Sequence, residues 1–251
     1  MKKVILITLI GFMALHQTSI TAMQKTQSTQ DELNNSLFIA IEKGTPGMIN
    51  DLVRQGADVN VRQPTGWLGL STRPLYKAVL SQRPEAIEIT RALIEAGADI
   101  HVKESDAVFI RTPLDKYIDE IKRRKTDSYG ALAYIPESAK KLSQSEEMMI
   151  KALTTTVSPR EIQHIIAGII ATRRKFGRDV GKLIASEWIP AIINEKLTLA
   201  KQYLPNVPEA ELRQATIQSI NRVISKSPRI QATIQDAVTQ EPAAQLCPSS
   251  H

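Results

Sequence analysis

Val53-Arg54-Gln55-Gly56-Ala57-Asp58-Val59-Asn60 and Leu93-Ile94-Glu95-Ala96-Gly97-Ala98-Asp99-Ile100-His101 are two versions of one phrase, and they decide how the chain is read. Each closes a run of apolar residues at helical spacing. Each glycine stands where a left-handed C-terminal cap is needed, a conformation that costs glycine least. Upstream of each lies a second shared phrase, Ser36-Leu37-Phe38-Ile39-Ala40 and Pro74-Leu75-Tyr76-Lys77-Ala78. A third copy of it follows as Thr112-Pro113-Leu114-Asp115-Lys116-Tyr117. The central leucine recurs at 37, 75 and 114, a period of 38 and then 39 residues. A period of this size marks a repeat architecture, in which each unit must stack on its neighbours to bury its apolar faces.

The apolar positions support that reading. Leu37, Ala40 and Ile41 fall at helical spacing, and Met48, Ile49, Leu52 and Val53 do so again. In the next unit Leu75, Ala78 and Val79 precede Ile87, Ile89, Ala92, Leu93 and Ile94. Each segment offers one apolar face, so a lone helix pair would leave hydrophobic surface in water.

Over residues 34–120 the chain resembles the ankyrin repeat family, whose unit is a β-turn with two antiparallel helices and a Thr-Pro-Leu-His-x-Ala opening. Ala40 and Gly44 lie four apart, and Gly56 sixteen after Ala40, as in the family pattern. The second copy is longer, with nineteen residues from Ala78 to Gly97, which places an extended turn at Ser81-Gln82-Arg83-Pro84 and Pro84 in the first turn of the following helix. The third copy has Asp115 and Tyr117 in place of His and Ala and lacks the Gly-Ala-Asp ending, as a degenerate terminal unit would. The expected fold is all-α: about two and a half ankyrin repeats followed by a C-terminal α-helical region.

That C-terminal region reads as helical from Ser138. Ile162, Ile165, Ile166, Ile169 and Ile170 follow the i, i+3, i+4, i+7, i+8 pattern. Ser158-Pro159-Arg160-Glu161 opens this helix with a capping serine, a first-turn proline and a glutamate three residues after the cap. Leu183, Ile184, Trp188, Ile192 and Ile193 carry another face, with Pro190 as a break or kink, and two more helices fall at Ala210–Ser225 and Arg229–Val238.

At the other end, Met1-Lys2-Lys3, an apolar run from Val4 to Leu15 and a small residue at Ala22 have the order of a secretory signal peptide. Twelve apolar residues on a helix cover about 18 Å, short of the ~30 Å hydrocarbon layer. The expected organisation is a signal peptide over 1–22, a flexible leader over 23–33, ankyrin repeats over 34–124, a linker or loop over 125–137, a helical region over 138–240 and a disordered tail over 241–251. The product is expected to be exported, periplasmic or secreted, without stable membrane insertion after cleavage.

The 251 residues are 42% hydrophobic, 4% aromatic and 23% charged, which excludes a wholly disordered chain and a collagen-like one. The single Cys247 excludes an intramolecular disulfide. Residues 31–120 carry 10 basic and 14 acidic side chains, a net of −4, whereas 121–251 carry 19 and 12, a net of +7. This asymmetry lets the halves attract each other or lets the second half recruit an anionic partner.

Catalytic chemistry has no sequence support. His101, His164 and His251 show no metal-ligand or nucleophile spacing, and structural roles are expected for them. Cys247 lies in a polar tail. No catalytic residue, metal or cofactor is expected. The resemblance implies a non-enzymatic protein–protein interaction scaffold that takes a protein partner on its concave face. Trp67, in a long connection between units, would be an anchor there or would fold back to cap the stack; Glu42, Arg62, Arg73 and Lys77 are the other candidates. Two further readings stay open: an electrostatic adaptor that touches anionic membrane or polymer through Lys122, Arg123, Arg124 and Lys125, and an unrecognised helical enzyme domain within 138–240. Nucleic acid is not an expected partner, because no aromatic residues interleave with the basic clusters.

Overall fold

The computed structural model describes residues 29–65, 70–106, 109–129, 141–176 and 188–239, and it is mostly helical. Helix α1 covers 29–43 and α2 Pro46–Arg54; β1 (Gln63–Thr65) and β2 (Leu70–Thr72) then pair antiparallel. Helices α3 (Pro74–Leu80) and α4 (Ala86–Glu95) follow, then a second antiparallel pair, β3 (Glu104–Asp106) with β4 (Phe109–Arg111). The remainder is α5 (Pro113–Tyr129), α6 (Gln144–Thr155), α7 (Pro159–Phe176), α8 (Ile189–Tyr203), α9 (Glu209–Lys226) and α10 (Pro228–Thr239). The all-α expectation holds at this coarse level, with two short hairpins added.

Local chemistry explains where the helices start and stop. Thr45 caps α2, its side chain accepting from the Met48 N–H, and Pro46 fills the first turn, where a missing N–H costs no bond. Gly56 and Gly97 close α2 and α4 at φ of +106° and +102°, a region L side chains avoid. In each case the following alanine N–H reaches back five residues, Ala57 to Leu52 O and Ala98 to Leu93 O, both at 2.9 Å. Gly44 answers a different need: a Cβ there would lie 2.7 Å from the Ala40 carbonyl oxygen.

The first two helix pairs lie side by side. Helix α2 packs on α4, and α3 packs on both α4 and α5. An asparagine rung recurs, first within the first helix pair and then between the first two pairs. Asn34 Oδ1 accepts from the Asp58 N–H at 2.9 Å, and Asn60 Oδ1 accepts from the Asp99 N–H at 2.9 Å while its amide donates to Gly97 O at 3.1 Å. The long turn at 81–84 also has a use: Arg83 donates to the carbonyls of Ile41 at 3.2 Å and Gly44 at 2.8 Å, satisfying the exposed end of α1. Pro84 stands in this turn, two residues before α4 begins, and so outside the helix's first turn, where it is expected.

The third layer departs from the sequence reading. Helix α5 packs on α3, α6 packs on α4, and α5 touches α6, so α6 completes a third pair across the intervening segment. Helix α6 in turn meets α8 and α9, and α9 reaches α4. One buried cluster runs without interruption from Leu37 through Leu93 and Ile150 to Ile230, so the core does not divide between repeats and C-terminal region. Each fully buried aliphatic side chain, Leu93 or Ile162 for instance, contributes about 1.5–3 kcal/mol.

Two boundaries move. The expected linker begins inside α5, which stays helical to Tyr129 because Arg123 bridges Glu120 and Asp127 along one face. The expected leader ends inside α1, where Gln30 donates to Asn34 Oδ1 at 3.1 Å and to Gly56 O at 2.9 Å. Pro190 occupies the first turn of α8, as a break at this point requires; the residues expected to form the preceding helix, 177–187, lie outside the described ones. The signal segment, Trp67, Cys247 and the tail lie outside the described residues. No helix among the described residues is long and apolar enough to cross a membrane.

Candidate functional site

Two places gather chemistry. The first is the face carrying the sequence candidates. Glu42, late in α1, and Lys77, in α3, meet at 2.5 Å, so an ion pair joins adjacent layers. The Lys77 ammonium also lies 5.5 Å from the centre of the Phe38 ring. The Lys77 hydrogen bond, then its charge, lower the Glu42 carboxyl below its ordinary value. Arg62 is exposed just before β1. Arg73 is different: its side chain is 14% exposed and its Nε lies 3.7 Å from Glu104 Oε1, an ion pair without a hydrogen bond. Burial raises the Glu104 carboxyl against the opposing charges of Arg73 and Arg62. Arg73 therefore ties the two hairpins together and presents little surface. Beside it the Tyr76 hydroxyl accepts from the Glu104 N–H at 3.1 Å and faces the carbonyls of Val102, at 3.0 Å, and Arg111. Burial pushes this phenol well above its usual value. Trp67 lies outside the described residues.

The second place, which sequence reasoning did not single out as a site, is where the loop after α4 meets α7 and α8. Glu161 is the centre. Its Oε2 accepts from the Ser158 N–H at 2.7 Å while Ser158 Oγ accepts from the Glu161 N–H at 3.3 Å, the capping box expected from the sequence. Its Oε1 lies 2.7 Å from Lys196 Nζ and 3.8 Å from His101 Nε2. Lys196 is only 4% exposed, and this carboxylate is its one charged partner among the described residues. Burial alone would raise the Glu161 carboxyl, but His101, Lys196 and the Ser158 N–H outweigh it and hold it at about 2. His101 is raised above its ordinary value by Glu161 first, against burial and the Lys196 charge.

Two hollows flank this cluster. One, of about 440 Å³, is lined by Asp99, His101, Arg160, His164 and Glu195 over a floor of Ile100, Ile165 and Ile192. The other, of about 390 Å³, has Thr112, Asp115, Leu199 and Tyr203 on its far side. No group of three or more metal-ligating side chains occurs among the described residues. Lys196 carried no sequence signal beyond helical spacing with Ile192 and Ile193, which shows that its stem lies on an apolar face.

The basic run is already engaged. Arg123 and Arg124 both bond Glu120, at 2.7 and 2.9 Å, and Arg123 meets Asp127 at 2.6 Å. The hydrogen bond from Arg123 first, then that from Arg124 and both charges, outweigh the opposing effect of burial and hold the Glu120 carboxyl at about 2. Lys125 lies 3.5 Å from Glu146 and donates to the Lys141 carbonyl, and Lys122 lies 3.9 Å from Asp119. A further clamp joins the halves: Glu95, 7% exposed at the end of α4, bonds Arg222 at 2.7 Å and Lys226 at 2.6 Å on α9.

Compared with known proteins, the chain matches no family model, no curated protein and no solved structure.

Proposed function

We propose that this chain is an exported, non-enzymatic interaction scaffold of ankyrin type, taking a protein partner on Glu42, Arg62 and Lys77, with Trp67, outside the described residues, as a further contact. The observation that carries the reading is the repeated rung: Asn34 and Asn60 make the same bond to the Asp58 and Asp99 N–H groups, each beside a positive-φ glycine. A layered, internally bonded frame presents side chains that lose little freedom on binding, which is how such a surface gains affinity without a deep pocket. The C-terminal helices support the same role by covering the last layer with one shared core. The rival role of an electrostatic adaptor draws less support, because Arg123, Arg124 and Lys125 already meet carboxylates.

The test is capture from the protein's native surroundings by the wild-type chain and by Trp67→Ala, Lys77→Glu and Arg54→Glu variants. Arg54 is well exposed on α2, apart from the proposed face, and serves as control. One partner recovered by wild type and Arg54→Glu, and lost by the other two, is the expected result. Equal recovery by all four chains removes the face from the function.

A further inference from the structure

His101 stands where Asn60 stands one layer earlier. The Asn60 N–H donates to Asp58 Oδ1 at 2.8 Å, and the His101 N–H donates to Asp99 Oδ1 at 2.9 Å. The Asn60 side chain then reaches forward to Gly97 and Asp99. No third Gly-Ala-Asp follows His101, so its side chain has no such loop to bond. It turns instead to the first turn of α7, with Nε2 3.8 Å from Glu161 Oε1. Glu161 is immobilised from the other side by Ser158 and Lys196, which makes it a fixed anion against which a mobile imidazole can dock.

We propose that His101 is a pH-sensitive latch: protonated, it holds the loop after α4 against α7, and on losing its proton it lets that loop open. The charged groups around it are Asp99 on its own loop, Arg160, Glu161 and His164 on α7, Glu195 and Lys196 on α8, and Asp115 on α5 across the second hollow. Glu161 favours the imidazolium most, burial and then Lys196 oppose it, and Asp99 adds a smaller favourable charge. The imidazole is 63% exposed and bordered by both hollows, so it can swing away without disturbing the core. Because the folded-state value lies above the unfolded one, the latch contribution is complete below the ordinary histidine value and fades as pH rises through the folded-state value.

The test is amide hydrogen exchange of residues 101–103, beyond the core positions Ala98 and Ile100, in the full chain from about pH 5.5 to 9, corrected for intrinsic rates, with a proton NMR titration of His101. The opening constant of this segment should climb to a plateau, the ratio between plateaus being ten raised to the pKa difference. His101→Asn installs the residue that the preceding layer uses at Asn60, and should make opening independent of pH. A wild-type opening constant that does not change with pH, or an unchanged dependence in His101→Asn, overturns the latch. If that variant does not fold, a His101 titration in the wild-type chain at or below the ordinary histidine value overturns it equally.

Discussion

Replacing Asn60 with alanine removes one rung between the first two layers, and the structure sets the size of the loss. The side chain makes two inter-layer bonds, accepting from the Asp99 N–H at 2.9 Å and donating to the Gly97 carbonyl at 3.1 Å. Each bond contributes about 1 kcal/mol net, and leaving the half-buried Asp99 N–H without a partner adds up to about 1 kcal/mol more. Asn60→Ala should therefore lose about 2–3 kcal/mol. In urea unfolding, with a slope near 2–3 kcal/mol/M, the midpoint should fall by about 1 M while the slope is unchanged. A loss below about 0.5 kcal/mol in Asn60→Ala would refute the reasoning, because the layers would then be held by apolar contact alone.

Three further substitutions probe other links. Gly97→Ala should lose about 1–2 kcal/mol although no atom within 4 Å opposes the new Cβ, since the φ of +102° is the only obstacle; Gly47→Ala, inside α2, should be neutral or stabilising by up to about 1 kcal/mol. Equal thermal midpoints for the two variants would contradict this. Lys196→Met should cost about 3 kcal/mol at neutral pH by stranding a largely buried carboxylate. It should also flatten the acid arm, because the stability Glu161 supplies is present above its ordinary value and fades as pH falls through about 2. An acid arm identical to wild type would show that Lys196 is not what holds Glu161 ionised.

The features legible in the sequence were those whose cause is local. Gly56 and Gly97 announce a positive φ, and Ser158 with Glu161 announces a cap, because backbone geometry dictates the residue type within a few positions. What stayed hidden depends on distant chain. Lys196 lies 35 residues from Glu161, and nothing in its neighbourhood distinguishes a buried ammonium from a solvated one. His101 was legible as a stand-in for asparagine in its phrase, but its partner on α7 was not. Helix α6 was read as part of a separate region because the outer helix of the third layer arrives after an interruption, and only packing against α4 identifies its place. Arg73 shows the same limit: nothing beside it in the chain signals that Glu104 arrives from another hairpin and leaves its side chain 14% exposed.

The Glu95 clamp bears on how the protein comes to be made. Its two cationic partners, Arg222 and Lys226, are synthesised 127 and 131 residues after it. Until they emerge, α4 ends in a carboxylate with no counter-ion on α9, and the outer side of that helix waits for a cover supplied by later chain. The front layers of a growing polypeptide thus lack part of their cover until α9 is made, and cutting the gene after the third layer would leave Glu95 and that side of α4 open.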